Sequence, residues 1–576
     1  MSFPTIEFAA FFVVVLLGSW LLMPHPRAWK PFMVAASLLF LAYADWRWAC
    51  LVVLSIVLNQ AAATIIGRLT DERRRKIALA AVIAADLGLL GLFKYLGFFI
   101  DSVNEALATI NLGLPLPLLA VALPIGISFF TLQAIGYVVD VYRRETRVAR
   151  PWDYAVFASF FPHAVAGPIL RAREFIPQLA RPRDPRRVAA VPALLLIVGG
   201  LAKKIVIADL LATRLVDPVF ANPAAHSAID TGLAILGYAA QIYCDFSAYT
   251  DIAIGTAMLL GFALPPNFNR PYSAASLRQF WRRWHMTFTR WMRDYVYVPL
   301  GGDRLGQRRL YLNLVVTVGL AGLWHGAAAT FLVWSGLHAF GLAAERWLGR
   351  RRGELALTGG SESRRPTVSG VRSTLRNARS HRGVIDLRTS VVIATDGAMA
   401  AVPAQPTADS RRGFAGVRRM MGGGRTWING PVGTARRNLA VANQRLDGAR
   451  DLAGNVADEV AGRDWPRWSR QLTTFAAVAL AWVFFRATSV SDAFEVLARL
   501  ATGWSAPTAL ATPSAIVLVA TGLGVQFVRA QVWRKLESAF ARAPIWVQGL
   551  VLGVVLVLLA AIAGPQRSLP FIFGTL

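Results

Sequence analysis

The sequence predicts an all-α, polytopic membrane protein of about 11–12 transmembrane helices, on three observations. Apolar runs of membrane length recur along the chain, basic residues gather in the gaps between them, and no stretch alternates apolar and polar residues as a membrane barrel would. The chain has 576 residues, 55% of them hydrophobic and 16% charged, with a mean hydropathy of +0.46. Soluble domains run near a quarter charged, so an ordinary cytosolic enzyme is excluded. The same apolar content excludes a disordered chain. A net charge of +28 would point to nucleic acid in a soluble protein. Here the basic residues belong to membrane loops, and no nucleic-acid partner is expected.

The expected spans lie near 6–23, 31–46, 48–66, 77–99, 118–141, 190–212, 230–262, 308–323, 328–345, 471–487, 513–530 and 545–563. The first reads as a retained helix rather than a signal peptide, because Met1–Phe8 has no Lys or Arg and no small-residue cleavage site follows. Loop charge sets the orientation. Arg68 with Arg73-Arg74-Arg75-Lys76, and Arg143-Arg144 with Arg147, mark cytoplasmic loops and place the N-terminus on the periplasmic side of a bacterial inner membrane. The 153–170 stretch is apolar but has Arg at both ends and is broken by Pro162 and Gly167-Pro168. A re-entrant segment fits it better than a crossing, since broken backbone at membrane depth must be buried in protein.

Residues 351–470 differ in kind. They hold 21 arginines, no lysine and ten acidic residues, and no apolar span. This is expected to be a largely disordered cytoplasmic insertion between two parts of the membrane core, 1–350 and 471–576. Membrane lipids and an acyl-donor carrier at the cytoplasmic face are the partners its charge suits. The two cysteines, Cys50 and Cys244, sit in separate apolar runs. That excludes a disulfide framework and a zinc site, and no His/Asp/Glu spacing suggests any other metal.

Three segments carry chemistry. Residues 280–295 place Trp281, Trp284, Phe288, Trp291 and Tyr295 within one ~80° sector of a helix, with Arg282, Arg283, Arg290 and Arg293 opposite. That predicts an interfacial helix with His285 at the edge of its aromatic face and arginines suited to a donor's phosphate. The 230–262 span carries Asp245 and Asp251, costly in an apolar helix, with Lys203-Lys204 as obvious partners. Their role is either structural pairing or polarising a cavity. Gly322-Leu-Trp-His-Gly326 embeds His325 among apolar residues, where an imidazole can act as general base or serve only as a hydrogen-bond donor. His25, His226 and His381 fall in loops or the insertion, and His338 reads as helix packing.

Taken together the motif blocks resemble the membrane-bound O-acyltransferase family, in its bacterial alginate O-acetylation branch. The blocks are Leu123–Phe130, Val138–Arg143, Phe160–Pro162 with Ala166–Ile169, Lys203–Asp209, Gln241–Ser247, Asn267–Tyr272, Phe280–His285, Trp291–Tyr295, Pro299–Gly302, Gly322–Gly326 and Trp482–Ala487. The resemblance implies a ring of tilted helices around a tunnel, with re-entrant and interfacial helices. It implies His325 and His285 as catalytic residues, and Arg282, Arg283, Trp284, Asp245, Trp324 and Asn269 as candidate substrate contacts. It implies no bound cofactor, acetyl-CoA or another acyl thioester as donor, and an exported polysaccharide as acceptor. A separate periplasmic acetyltransferase-like protein would complete the transfer. Two departures stand out: His163 where the branch usually has Gln, and the long insertion. The alternatives are D-alanyl or peptidoglycan O-acyl transfer by a related protein, and a transporter or flippase, which buried charges also mark.

Overall fold

Each of the twelve apolar runs overlaps a helix in the computed structural model, which describes residues 3–109, 124, 126–180, 182–358, 466–528, 530–563, 569 and 571–572; the start of the 118–141 run lies outside the described residues. Among the described residues there is no strand. The helices are Ile6–Leu22, Pro26–Ala42, Trp46–Arg68, Glu72–Thr109, Ile127–Tyr142, Ala190–Ala221, Ala228–Leu259, Gln307–His325, Ala329–Thr358, Arg467–Arg486, Pro513–Phe527 and Ile545–Ala563. Trp46–Arg68, Glu72–Thr109, Ala190–Ala221 and Ile545–Ala563 are each long and apolar enough to cross a membrane alone. Exposed Val14 and Leu21 on Ile6–Leu22, and Ile545 and Val557 on Ile545–Ala563, present apolar surface that lipid would cover. The chain is an all-α, polytopic membrane protein.

The helix starts follow local chemistry. Thr5, Asp45, Ser227, Ser489 and Thr512 each accept a backbone N–H from the first turn, and Pro26 and Pro513 open their helices where no donor is needed. Pro513–Phe527 is followed by Ala530–Arg542, bent from it by 91°. The expected 513–530 span therefore ends in a sharp corner rather than running on.

The chain divides into a unit of Met1–Leu348 with Asp464–Leu576 and a second of Gly349–Arg463. Of the second, only residues 349–358 are described, as the end of the Ala329–Thr358 helix. The expectation for the Arg-rich insertion falls mostly on 359–465, outside the described residues.

The Ala228–Leu259 helix is buried on nearly every side, with Ala239, Ala240, Ile242, Cys244, Ala248 and Ala253 all but inaccessible. A helix apolar all round must lie inside a bundle. Small residues let its neighbours close in: a Cβ on Gly200 would sit 2.8 Å from the Ala248 carbonyl, and one on Gly255 would sit 2.6 Å from the Ala193 carbonyl. The 153–170 stretch is a broken, buried element. Pro151–Ser159 stops at Phe160, and a second turn, Phe161–Ala164, follows. Its free N–H groups are answered inside the protein, Phe161 N–H by Ser37 Oγ and Gly167 N–H by the His163 carbonyl. Buried His163 accepts on Nδ1 from the Gln133 side-chain amide at 3.2 Å, so this departure from the branch pattern bonds the Ile127–Tyr142 helix.

Candidate active site

The structure corrects the expected 280–295 helix. Instead of one amphipathic helix there are two short ones, Leu277–Trp281 and Met286–Met292, joined at His285, whose φ is +42°. A left-handed conformation costs a non-glycine residue ~1–3 kcal/mol and persists only where surroundings fix it. Here the fixing is visible. Asn267 Oδ1 accepts from Thr287 N–H at 3.2 Å, from Thr287 Oγ at 2.9 Å and from His285 Nδ1 at 3.1 Å, while Met286 N–H donates to the Asn267 carbonyl. Because the Thr287 backbone can only donate, the Asn267 atom is the oxygen, and His285 Nδ1 must carry its proton. When the ring is neutral, Nε2 holds its lone pair. Among the described residues it has no hydrogen-bond partner.

The same segment is pinned to its neighbours. Thr287 Oγ accepts Ile169 N–H, Trp291 Nε1 donates to the Leu132 carbonyl at 2.8 Å, and Tyr295 OH donates to Asp140 at 2.7 Å. The break turns His285 inward, so that it is 2% exposed and rests edge-on against Phe246 at 4.8 Å.

His325 is the last residue of the Gln307–His325 helix and is 6% exposed. Gly326 ends the helix with extended backbone and packs under Phe331. Gly322 lets the following helix approach so closely that a Cβ there would lie 2.5 Å from Ser335 Oγ. Trp324 at 4.8 Å, Phe485 at 5.0 Å, Trp334 at 5.4 Å and Phe331 at 6.1 Å form an aromatic box around the imidazole.

The two histidines share two of their walls. Trp324 lies 6.1 Å from His285 and 4.8 Å from His325; Phe288 lies 5.0 Å from the first and 6.3 Å from the second. Elements 40 residues apart in sequence thus deliver two imidazoles to one buried, aromatic locus. Such a locus suits proton transfer at a substrate that has shed its water.

The other candidates distribute unevenly. Trp324 is at the centre. Trp284 is buried one layer back, against Trp482 at 5.1 Å and Phe268 at 5.0 Å. Arg282 is half-buried in the turn before His285. Arg283 Nη1 donates to Ser273 Oγ at 2.6 Å. Arg467 and Arg270 add like charge around it, and Arg270 also holds a positive φ. Asp245 is not brought to the histidines. It pairs with Lys204 at 2.7 Å and accepts Ile572 N–H at 2.8 Å, and Lys204 reaches Asp209 as well, at 2.9 Å. Lys203 pairs with Asp251 at 2.6 Å. Both lysines lie where their helix widens into a π turn, Lys203–Asp209. Asn269 is exposed, and its backbone N–H donates to the Arg283 carbonyl.

Sequence reasoning missed Asn267, which stands in the same Asn-Phe-Asn run but points its amide at His285. It also missed Lys94 and Tyr95, although a lone lysine in an apolar helix was a readable signal. His338 packs as expected, against Trp334 at 5.0 Å and Trp281 at 5.2 Å, and neither ring nitrogen has a partner among the described residues. No group of three or more metal-ligating side chains occurs among the described residues.

Comparison with known proteins places this locus in context. The family model for MBOAT, the membrane-bound O-acyltransferase family, matches residues 127–359, which include both histidines. The chain is 39% identical over 357 residues to the probable alginate O-acetylase AlgI of Pseudomonas aeruginosa, across 61% of this chain and 66% of that one. It is 38% identical over 360 residues to the protein of the same name from Pseudomonas putida, across 61% and 71%. It is also 35% identical over 377 residues to the peptidoglycan O-acetyltransferase of Helicobacter pylori, across 58% and 68%. The match thus spans about two thirds of each relative's length.

Proposed function

The chain belongs to the membrane-bound O-acyltransferase family, and from that premise we propose that it moves an acetyl group from a cytoplasmic thioester to a hydroxyl, for O-acetylation of an exported, alginate-like polysaccharide. The observation that carries this reading is the pair of buried imidazoles sharing Trp324 and Phe288.

In the proposed reaction His325 takes the proton of the attacking hydroxyl as its oxygen bonds to the thioester carbonyl carbon. The tetrahedral centre then collapses, the C–S bond breaks, and the departing sulfur takes a proton back from the imidazolium. The products are an ester and a free thiol. His285, with Nδ1 committed to Asn267, offers Nε2 to the same locus as a second polar contact for donor or acceptor. The dry aromatic walls keep water from competing for the acyl group. The protein sits in the bacterial inner membrane with its N-terminus periplasmic. A separate periplasmic acetyltransferase-like protein finishes delivery to the polymer.

In this proposal Arg283, Arg270 and Arg467 hold the donor's phosphates; among the described residues Arg283 donates to Ser273 Oγ and Arg270 to the Val528 carbonyl rather than to a carboxylate. A charge-assisted hydrogen bond to an anion contributes ~1.5–3 kcal/mol. Arg283→Ala is therefore expected to raise the KM for acetyl-CoA about tenfold or more with kcat nearly held. Steady-state kinetics in membrane vesicles would measure this, and an unchanged KM removes Arg283 from the donor site. Asn267→Ala is expected to cost about tenfold to a hundredfold in kcat, since it frees the left-handed turn under His285. Asn269→Ala, altering only an exposed side chain, should leave kcat within twofold.

The overall test supplies radiolabelled acetyl-CoA to vesicles of cells carrying or lacking the chain and follows label into polymer. Label in secreted polysaccharide supports the proposal. Label in peptidoglycan instead would favour the second reading, which the 35% identity to a peptidoglycan O-acetyltransferase keeps in view. Label in neither acceptor sinks both.

A further inference from the structure

The Glu72–Thr109 helix is apolar through its middle, yet carries Lys94 there, between Leu92-Phe93 and Tyr95-Leu96. A lysine at membrane depth is costly, so the groups it meets are informative. Lys94 Nζ donates to the Trp324 carbonyl at 2.5 Å and stands 5.8 Å from the centre of the Trp324 ring. The next residue does the same thing: Tyr95 OH donates to the Leu323 carbonyl at 2.5 Å.

These two carbonyls are not arbitrary acceptors. The Gln307–His325 helix ends at His325, and the last backbone bond into its final turn is Gly326 N–H to the Gly322 carbonyl. The carbonyls of Leu323 and Trp324 come next and would need N–H groups from beyond the helix end. In water they would be solvated. In a buried site each would be costly unanswered. A second helix, about 230 positions away in sequence, answers both, and its ammonium lies at the end of the helix where the macrodipole is negative.

We infer that Lys94, with Tyr95, is a positioning residue that clamps the Leu323–Trp324 backbone and so fixes the pose of His325. The catalytic part of this inference rests on the reading of His325 as the transfer centre; the clamp itself does not. Arg preserves a charged donor at position 94, whereas Met preserves only the bulk.

The test compares Lys94→Met, Lys94→Arg and Tyr95→Phe in the full-length protein. Hydrogen–deuterium exchange of the 320–330 peptide reads the clamp independently of any reaction. Kinetics with acetyl-CoA read its consequence. Lys94→Met is expected to raise exchange in that peptide and lower kcat about tenfold to a hundredfold, with KM within twofold. Lys94→Arg should restore kcat to within a few-fold. Adding His325→Ala to Lys94→Met should cost no more than His325→Ala alone, as for groups acting as one unit. Unchanged exchange overturns the clamp. Raised exchange with unchanged kcat overturns the positioning role. A rise in KM alone would make Lys94 a donor contact and also overturn it. Raised exchange in a protein whose His325→Ala variant is fully active would instead sink the functional reading and leave the clamp standing. Should Lys94→Met fail to reach the membrane, Tyr95→Phe, which removes one hydroxyl, carries the same two readouts.

Discussion

His325→Ala is expected to strip O-acetyl groups from the secreted polysaccharide while polymer yield holds. A positioned general base contributes about a hundredfold to ten-thousandfold to rate. His325 is the imidazole closest to Trp324, with the last helical turn built to present it. Truncation also empties a box walled by Phe485, Trp334 and Phe331, and opening a buried cavity of this kind costs ~2–5 kcal/mol. His325→Gln therefore accompanies it, keeping most of the volume and a polar atom while removing the base. Proton NMR of the purified polymer gives acetyl content, and an immunoblot of membranes gives protein level. Both variants should lose acetyl with protein present. Full acetylation in His325→Gln would remove the base from this residue. Loss of polymer export, with normal acetylation of what remains, would favour transport over transfer.

The largest stability effect is expected at Lys204. Its ammonium is 1% exposed and faces two carboxylates, Asp245 at 2.7 Å and Asp209 at 2.9 Å. Lys204→Met leaves both without their cation. Breaking a buried pair costs ~3–5 kcal/mol, a large share of the ~5–15 kcal/mol that holds a typical domain together. The variant should melt well below the parent in detergent, by a thermal scan read through size-exclusion chromatography, and its membrane level should fall. Combining Lys204→Met with Asp245→Asn removes one of the stranded charges and should recover part of the loss. Equal melting of parent and Lys204→Met would mean that the carboxylates are neutralised some other way.

What the sequence disclosed and what it hid divide along physical lines. A long apolar run is a one-dimensional signal, and each of the twelve overlaps a helix among the described residues. Intramembrane charges are a similarly local signal: residue type alone named Lys203 and Lys204 as partners for Asp245 and Asp251, and the structure adds which lysine meets which carboxylate. The break at His285 was not. A 3.6-residue pattern continues unbroken through Trp281, Trp284 and Phe288, and nothing in it marks a left-handed residue held by an asparagine 18 positions earlier. Asn267 and Asn269 are alike in sequence and differ only in which way the loop turns them. The clamp at Leu323 and Trp324 depends on a helix more than 220 residues away, a distance no local pattern spans.

The ion cluster of Lys204, Asp209 and Asp245 is met by two further residues, Phe571 and Ile572. The Phe571 ring lies 4.6 Å from the Lys204 ammonium, and the Ile572 amide is bonded to Asp245. These residues are synthesised after the Ile545–Ala563 helix. The cluster therefore gains its last two contacts only after the Ile545–Ala563 helix has been made, so the pairing inside the bundle and its closure by Phe571 and Ile572 are separate events in the order of synthesis.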